Sequence, residues 1–246
     1  MIDLDYSLDT ARARQLGLVV LQSDESIERD MYRLMPDTAE LLVTRVPSGA
    51  HVTPESLAEM EGHLAQAAGL FPHGAQLDVV GYGCTSGTAQ IGANRVAAAV
   101  RQGVPTPEVT EPVTSAIAAC RQLDVRRLGL ISPYVHSVSH RLIDVFSQSG
   151  LSVDAFASFN QSEEQQVARI SQASVIAAAR KVAASAQLDA LFISCTNLRV
   201  LDCIAAIEAE TGLPVLSSNQ VLAWHMLTLA GIPTQGSVPG ALGALG

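Results

Sequence analysis

The sequence has no run of 18 or more apolar residues, so it offers no membrane-spanning helix. Its opening stretch, MIDLDYSLDTARARQLG, is acidic early and lacks the apolar centre of a secretory signal, and a cytoplasmic location is expected. Charge is sparse at 16% of residues, and 15 Lys and Arg against 24 Asp and Glu leave a formal net charge of -9. That excess argues against nucleic acid and anionic membranes as partners. No Cys-x-x-Cys pair occurs, and His136 and His140 in "HSVSH" lack the Glu of a zinc hydrolase helix, so no metal site is expected. Gly-x-Gly-x-x-Gly, a Walker loop and Gly-x-Ser-x-Gly are missing too, which removes the dinucleotide, P-loop and nucleophilic-serine readings. Aromatic residues are only 4% of the chain.

What remains is a chain of 246 residues that is 48% hydrophobic, with Ala, Val and Leu supplying most of the apolar mass, as parallel α/β proteins often do. Its length suffices for a large core without disulfides, and Cys84, Cys120, Cys195 and Cys203 are expected as free thiols. Short apolar runs alternate with amphipathic segments along nearly the whole chain. Strands are predicted at 16–21, 41–45, 77–82, 128–132, 153–157, 190–194 and 215–217. Helices are predicted near 137–149, 173–184, 201–211 and 221–230.

One phrase occurs twice, as "AQLDVVGYGCTS" (75–86) and "AQLDALFISCTN" (186–197), displaced by 111 residues (75 to 186). "RQLGLVVL" and "RRLGLISP" recur at 112 (14 to 126), and "GVP" and "GLP" at 109 (103 to 212). The agreement of the three offsets predicts two homologous halves, 1–112 with 221–246 and 113–220. The expected fold is α/β, two pseudo-symmetric Rossmann-like halves with parallel sheets and an active-site cleft between them. Ligands of such sheets bind beyond the carboxyl ends of the strands, where both Cys-Thr pairs fall.

In "GYGCTSGTAQIG", Gly81, Gly83 and Gly87 are expected to free the backbone for a tight turn. Thr85, Ser86 and Thr88 then offer amides and hydroxyls at a helix start, a setting that lowers a thiol pKa. In "SCTNLR", Cys195 follows a buried strand, with Thr196 and Asn197 as hydrogen-bonding groups and Arg199 placed at the surface. Cys120 and Cys203 sit in amphipathic helical patterns and read as core.

These two segments resemble the hallmarks of the aspartate/glutamate racemase superfamily, and within it the branch of maleate cis-trans isomerases, arylmalonate decarboxylases and ectoine-utilisation proteins. The likeness runs from about Gly17 to His225. Two cysteines match the isomerase and racemase members better than the decarboxylases, which keep only the second. The resemblance implies no cofactor and a homo-oligomer. It places Tyr134 ("SPY") and Asn160 ("ASFN") among the substrate-binding residues, with a structural tyrosine and a turn asparagine as the alternatives. Maleate isomerases have an asparagine touching substrate where this chain has Asp24, in "LQSDES". A carboxylate there would repel a dianionic substrate by roughly 1 to 4 kcal/mol and attract an ammonium group. Asp24 also suits a cap on the following helix.

The resemblance implies catalysis by Cys84 and Cys195, with Asp24, Thr85, Ser86, Tyr134, Asn160, Thr196 and Asn197 binding substrate. The substrate is expected to be a small carboxylate or an amino acid. Two reactions fit: cis-trans isomerisation of the maleate type, in which one thiol adds to an alkene, and racemisation of an amino acid such as an ectoine-derived diaminobutyrate. Both need Cys84 and Cys195, and racemisation requires the site to depress a cysteine pKa. A non-catalytic ligand-binding protein is the alternative of another class.

Overall fold

The eight strands of the computed structural model, which describes residues 1–8 and 12–245, form two parallel sheets of four. The first contains β1 (Arg14–Leu21), β2 (Ala39–Val46), β3 (Leu77–Gly83) and β4 (Glu108–Thr110), in the order β2-β1-β3-β4. The second contains β5 (Arg127–Tyr134), β6 (Ser152–Gln161), β7 (Ala190–Ile193) and β8 (Val215–Ser217), in the order β6-β5-β7-β8. The equivalence of the two orders bears out the paired α/β halves read from the repeated phrases.

Parallel strands need crossover helices, and these cover both faces, so the central strands read as unbroken apolar runs. In β1 every residue after Arg14 is buried. The predicted helices lie within a few residues of those observed, at His136–Gln148, Gln172–Ala183, Ile204–Thr211 and Ser218–Leu229. The last starts earlier than expected. Ser217 accepts the Gln220 amide proton while the Gln220 side chain accepts the Ser217 amide proton, a reciprocal cap that fixes the helix start.

The repeated Ala-Gln-Leu-Asp phrase serves the strand starts. Asp78 accepts the Arg14 guanidinium at 3.0 Å, and Asp189 accepts that of Arg127 at 2.7 Å and the Arg126 and Arg127 amides at 3.0 and 2.8 Å. Each aspartate thus ties the first strand of its half to the third. The helix Ser218–Leu229 lies against β3, β4 and the helix Pro112–Gln122, so the chain crosses back to the first sheet near its end. Among the described residues no helix is long and apolar enough to cross a membrane.

Candidate active site

In each sheet the strand order changes direction between the two central strands, β1 and β3 in one, β5 and β7 in the other. A crevice forms beyond the carboxyl ends at such a switch point. Asp24 follows β1 and Cys84 follows β3. Tyr134 ends β5 and Cys195 follows β7. The two crevices merge into one cavity, to which the first half gives Leu21, Ser23, Asp24, Cys84, Thr85 and Ser86, and the second Tyr134, Glu164, Cys195, Thr196 and Asn197. Its volume is about 10 Å³, room for a single water.

Cys84 caps the short helix Thr85–Ile91, and its Sγ accepts the Gly87 amide proton at 3.1 Å. The neighbouring glycines serve clearance and not the tight turn expected of them, since Gly81, Gly83 and Gly87 all keep φ outside the left-handed region. A Cβ at Gly83 would meet Ile27 Cδ1 at 2.6 Å, and one at Gly87 would meet Cys84 Sγ and Met60 Cε at 2.9 Å.

Cys195 has φ +111°, a conformation that costs a non-glycine residue about 1–3 kcal/mol and needs outside support. Ser218 gives part of it. Its hydroxyl accepts the Cys195 amide proton at 2.9 Å and bonds the Thr85 hydroxyl at 2.8 Å, joining the two cysteine turns. Thr196 donates to the Gly83 carbonyl at 3.2 Å, a second tie between the halves. Asn197 is similarly committed. Its Oδ1 accepts the Glu25 amide proton at 2.8 Å, its Nδ2 donates to Glu164 Oε2 at 2.9 Å, and its own amide donates to Cys195 Sγ at 3.3 Å.

Tyr134 Oη lies 2.8 Å from Glu164 Oε1 and 3.1 Å from Cys195 Sγ. The hydroxyl has one proton and Glu164 takes it, which leaves the Cys195 thiol as donor to the tyrosine oxygen. A chain S–H···O–H···carboxylate results. Asp24 Oδ1 accepts the Ser26 and Ile27 amides at 2.8 Å at the start of the helix Ile27–Leu34, and the residue also lines the cavity.

Two site expectations need correction. Asn160 is exposed on β6, the outer strand of its sheet, and is not among the cavity residues. Its φ of +54° and its amide bond to Ser158 Oγ at 2.8 Å make it a bend residue. The chain then passes His51, which bridges Glu163, and it is Glu164 that enters the cavity. The thiols are also not acidified. Burial pushes Cys84 up to about 12, with the Gly87 amide pulling down and the carboxylates of Glu164 and Asp24 pushing further up. Cys195 is raised well above its ordinary value by burial first and by Glu164 second. Asp24 and Glu164 are themselves raised by burial.

Glu164 and Ser218 escaped sequence reasoning. The capping pattern of Ser217 and Gln220 was the available signal for a helix start at Ser218; Glu164 had none, standing in the polar stretch "QSEEQQ". Arg199 is exposed and outside the cavity, and Cys120 and Cys203 are buried away from it. Among the described residues no cluster of His, Cys, Asp and Glu is placed to hold a metal ion.

Similarity to known proteins follows the same pattern. A maleate isomerase of Nocardia farcinica is 29% identical over 239 residues, covering 93% of this chain and 94% of the relative. An arylmalonate decarboxylase of Bordetella bronchiseptica is 29% identical over 229 residues, covering 91% and 93%. Among solved structures, a cysteine-to-serine variant of a Nocardia farcinica maleate cis-trans isomerase with a covalently bound succinylcysteine intermediate superposes with TM-score 0.83 at 24% identity, over 94% of this chain and 98% of that one. Whole-length likeness to maleate isomerases, with two thiols in one cavity, fits a cysteine-based isomerase better than the amino-acid racemase. The arylmalonate decarboxylase family model matches residues 87–242, well over half of the chain, and the chain belongs to that family.

Proposed function

We propose that this protein isomerises a small cis-unsaturated carboxylate by the joint action of Cys84 and Cys195. The observation that carries the reading is the single cavity shared by the two thiols, one from each half. In this scheme Cys84, a thiol at rest, gives up its proton to water as the substrate enters and adds as the thiolate to one alkene carbon, forming a C–S bond while the π pair moves to the neighbouring carbon as an enediolate-like carbanion. Cys195 hands its thiol proton to that carbon. The former double bond, now single, rotates. Cys195 then takes the proton back, the C–S pair returns to Cys84, and the trans alkene leaves. The covalent succinylcysteine seen in the Nocardia farcinica enzyme supports the addition step.

The assignment of roles rests on the surroundings of each sulfur. Each sulfur accepts one backbone amide, from Gly87 at Cys84 (3.1 Å) and from Asn197 at Cys195 (3.3 Å), so the difference lies in the remaining neighbours. Cys195 lies 3.1 Å from Tyr134 Oη with Glu164 beyond it, and burial first and the Glu164 carboxylate second hold it as the thiol. Ser86 supplies a hydroxyl, and Thr85, Ser86 and Thr196 supply amides, for the substrate carboxylate and the developing enediolate, the Thr85 and Thr196 hydroxyls being bonded to Ser218 and the Gly83 carbonyl. The division into halves at 1–112 with 221–246 and 113–220 belongs to the same proposal, supported by the helix Ser218–Leu229 resting on β3 and β4.

Proton NMR in deuterium oxide tests the reaction on maleate, maleamate and cis-4-aminobut-2-enoate. Appearance of the trans alkene without added cofactor is expected for at least one of them. Unchanged cis signals, with deuterium entering the α-carbon of amino acids instead, would favour the racemase. No change in either panel would leave only ligand binding. Gly87→Ala is expected to lower kcat roughly 100-fold, the scale on which a misplacement near an ångström acts. The added methyl crowds Cys84 Sγ and also the buried Tyr82 Oη and Met60 Cε, at 2.6 and 2.9 Å, so a lower unfolding midpoint is expected beside the loss of kcat.

A further inference from the structure

The cavity contains two carboxylates and no cation. Asp24 and Glu164 are 6% and 5% exposed, one enters from each half, and both line the space beside the thiols. None of the lining residues is Lys, Arg or His. Arg45, which acts on Asp24, lies behind it and is occupied. Its guanidinium donates to the carbonyls of Leu21, Gln22 and Asp24 at 2.9, 3.1 and 3.2 Å and pairs with Glu28 at 2.6 Å.

Neutral groups hold these carboxylates in place, and burial raises both toward the neutral acid, since no side chain of the cavity supplies a counter-charge. Glu164 accepts one hydrogen bond on each oxygen, from Tyr134 and Asn197, and each oxygen retains acceptor capacity. Buried charges without a counter-charge are costly, and a ligand that supplies one gains what the protein leaves unmet. A dicarboxylate would bring two more negative charges into the same space. A group with a positive nitrogen would complete it.

We propose that Asp24 and Glu164 select a substrate carrying a protonated nitrogen in addition to its carboxylate, and discriminate against dicarboxylates. This rests on the cavity being the reaction site, as proposed above, and narrows the substrate to a zwitterionic small acid. Glu164 receives the ammonium on the side of Tyr134 and Cys195, Asp24 supports it from the other half, and Ser86 and Thr85 face the carboxylate. Binding of that cation also offsets the upward push of both carboxylates on the two thiols, so the right substrate favours its own nucleophile.

Isothermal calorimetry with two saturated, unreactive four-carbon acids, 4-aminobutanoate and succinate, tests this without requiring turnover. The wild type is expected to bind 4-aminobutanoate roughly 100-fold more tightly than succinate at neutral pH, as expected for exchanging attraction for repulsion at two buried charges. Asp24→Asn and Glu164→Gln should each narrow that ratio, and the double variant should reverse it. Succinate bound as tightly as 4-aminobutanoate by the wild type, or no binding of either at millimolar concentration, would overturn the proposal, whatever the fate of the variants. An unchanged ratio in a folded double variant would do the same. A wild type that isomerises maleate and prefers succinate would sink this inference and leave the proposed function standing. The predicted ratio in a protein without isomerase activity would do the reverse.

Discussion

Cys195→Ser is expected to lower turnover about a thousandfold, within the range that a positioned acid–base group supplies, while leaving Cys84 able to form its bond to the substrate. Serine keeps the size of the side chain, and the Tyr134 to Glu164 bond does not depend on sulfur, so the cavity should keep its shape. What is lost is a group that can both give and recover a proton at the carbon next to the C–S bond. Cys84→Ser should cost as much for a different reason, because a hydroxyl beside Gly87 is a far poorer nucleophile than a thiolate. The double variant should be no worse than the poorer single one, as happens when residues act as one unit. A Cys84→Ser enzyme retaining a tenth or more of the wild-type kcat would remove the nucleophile from the scheme.

Closing the entrance covalently should have a comparable effect. The cavity of about 10 Å³ holds a water and no organic acid, so a substrate must be admitted by movement of its walls. Next to it lies an outer space of about 420 Å³, which shares Ser23 and Glu164 with the cavity and is flanked by Ala50 and His51. There the loop after β2 crosses to the second half: His51 bridges Glu163, the Val52 amide donates to the Ser162 carbonyl at 2.8 Å, and the Glu164 amide donates to the Ala50 carbonyl at 3.1 Å. This strap holds Glu164 and covers the way in. Residues opposite each other in an antiparallel bridge have Cα atoms about 4.5–5.5 Å apart, within disulfide range. His51→Cys with Glu163→Cys, once oxidised, is expected to lower kcat/KM roughly 100-fold, with recovery in reductant. Equal activity of the oxidised and reduced forms would mean that substrate enters elsewhere.

The fold was legible because the apolar runs are long enough to mark strands and because the chain repeats itself. β4 was not, having only Glu-Val-Thr to show for its place at the sheet edge. The cysteines stood out through their matching Cys-Thr contexts, and Asp24 and Tyr134 through the family resemblance of the stretches around them. Other features depend on contacts that no local pattern encodes. Glu164 stands in a stretch polar enough for a surface loop, and it is buried only because the strap crosses over it and Asn197 reaches it from the next crossover. Asn160, four residues earlier, carried the more suggestive side chain but points its segment outward. The glycines near Cys84 looked like turn formers, whereas Ile27 and Met60, distant in sequence, decide that they must lack a Cβ. The thiol acidity went the other way from expectation because a helix start can be read in sequence and the depth of burial cannot.

The central claim is that one thiol bonds the substrate while the other handles its proton. Intact-protein mass spectrometry of Cys195→Ser, incubated with each of the three cis acids and followed by peptide mapping, tests it most directly. A single adduct of one substrate mass is predicted on Cys84, and none in the variant that also carries Cys84→Ser. An unmodified protein with every acid, or an adduct mapped to Cys120 or Cys203, would contradict the account.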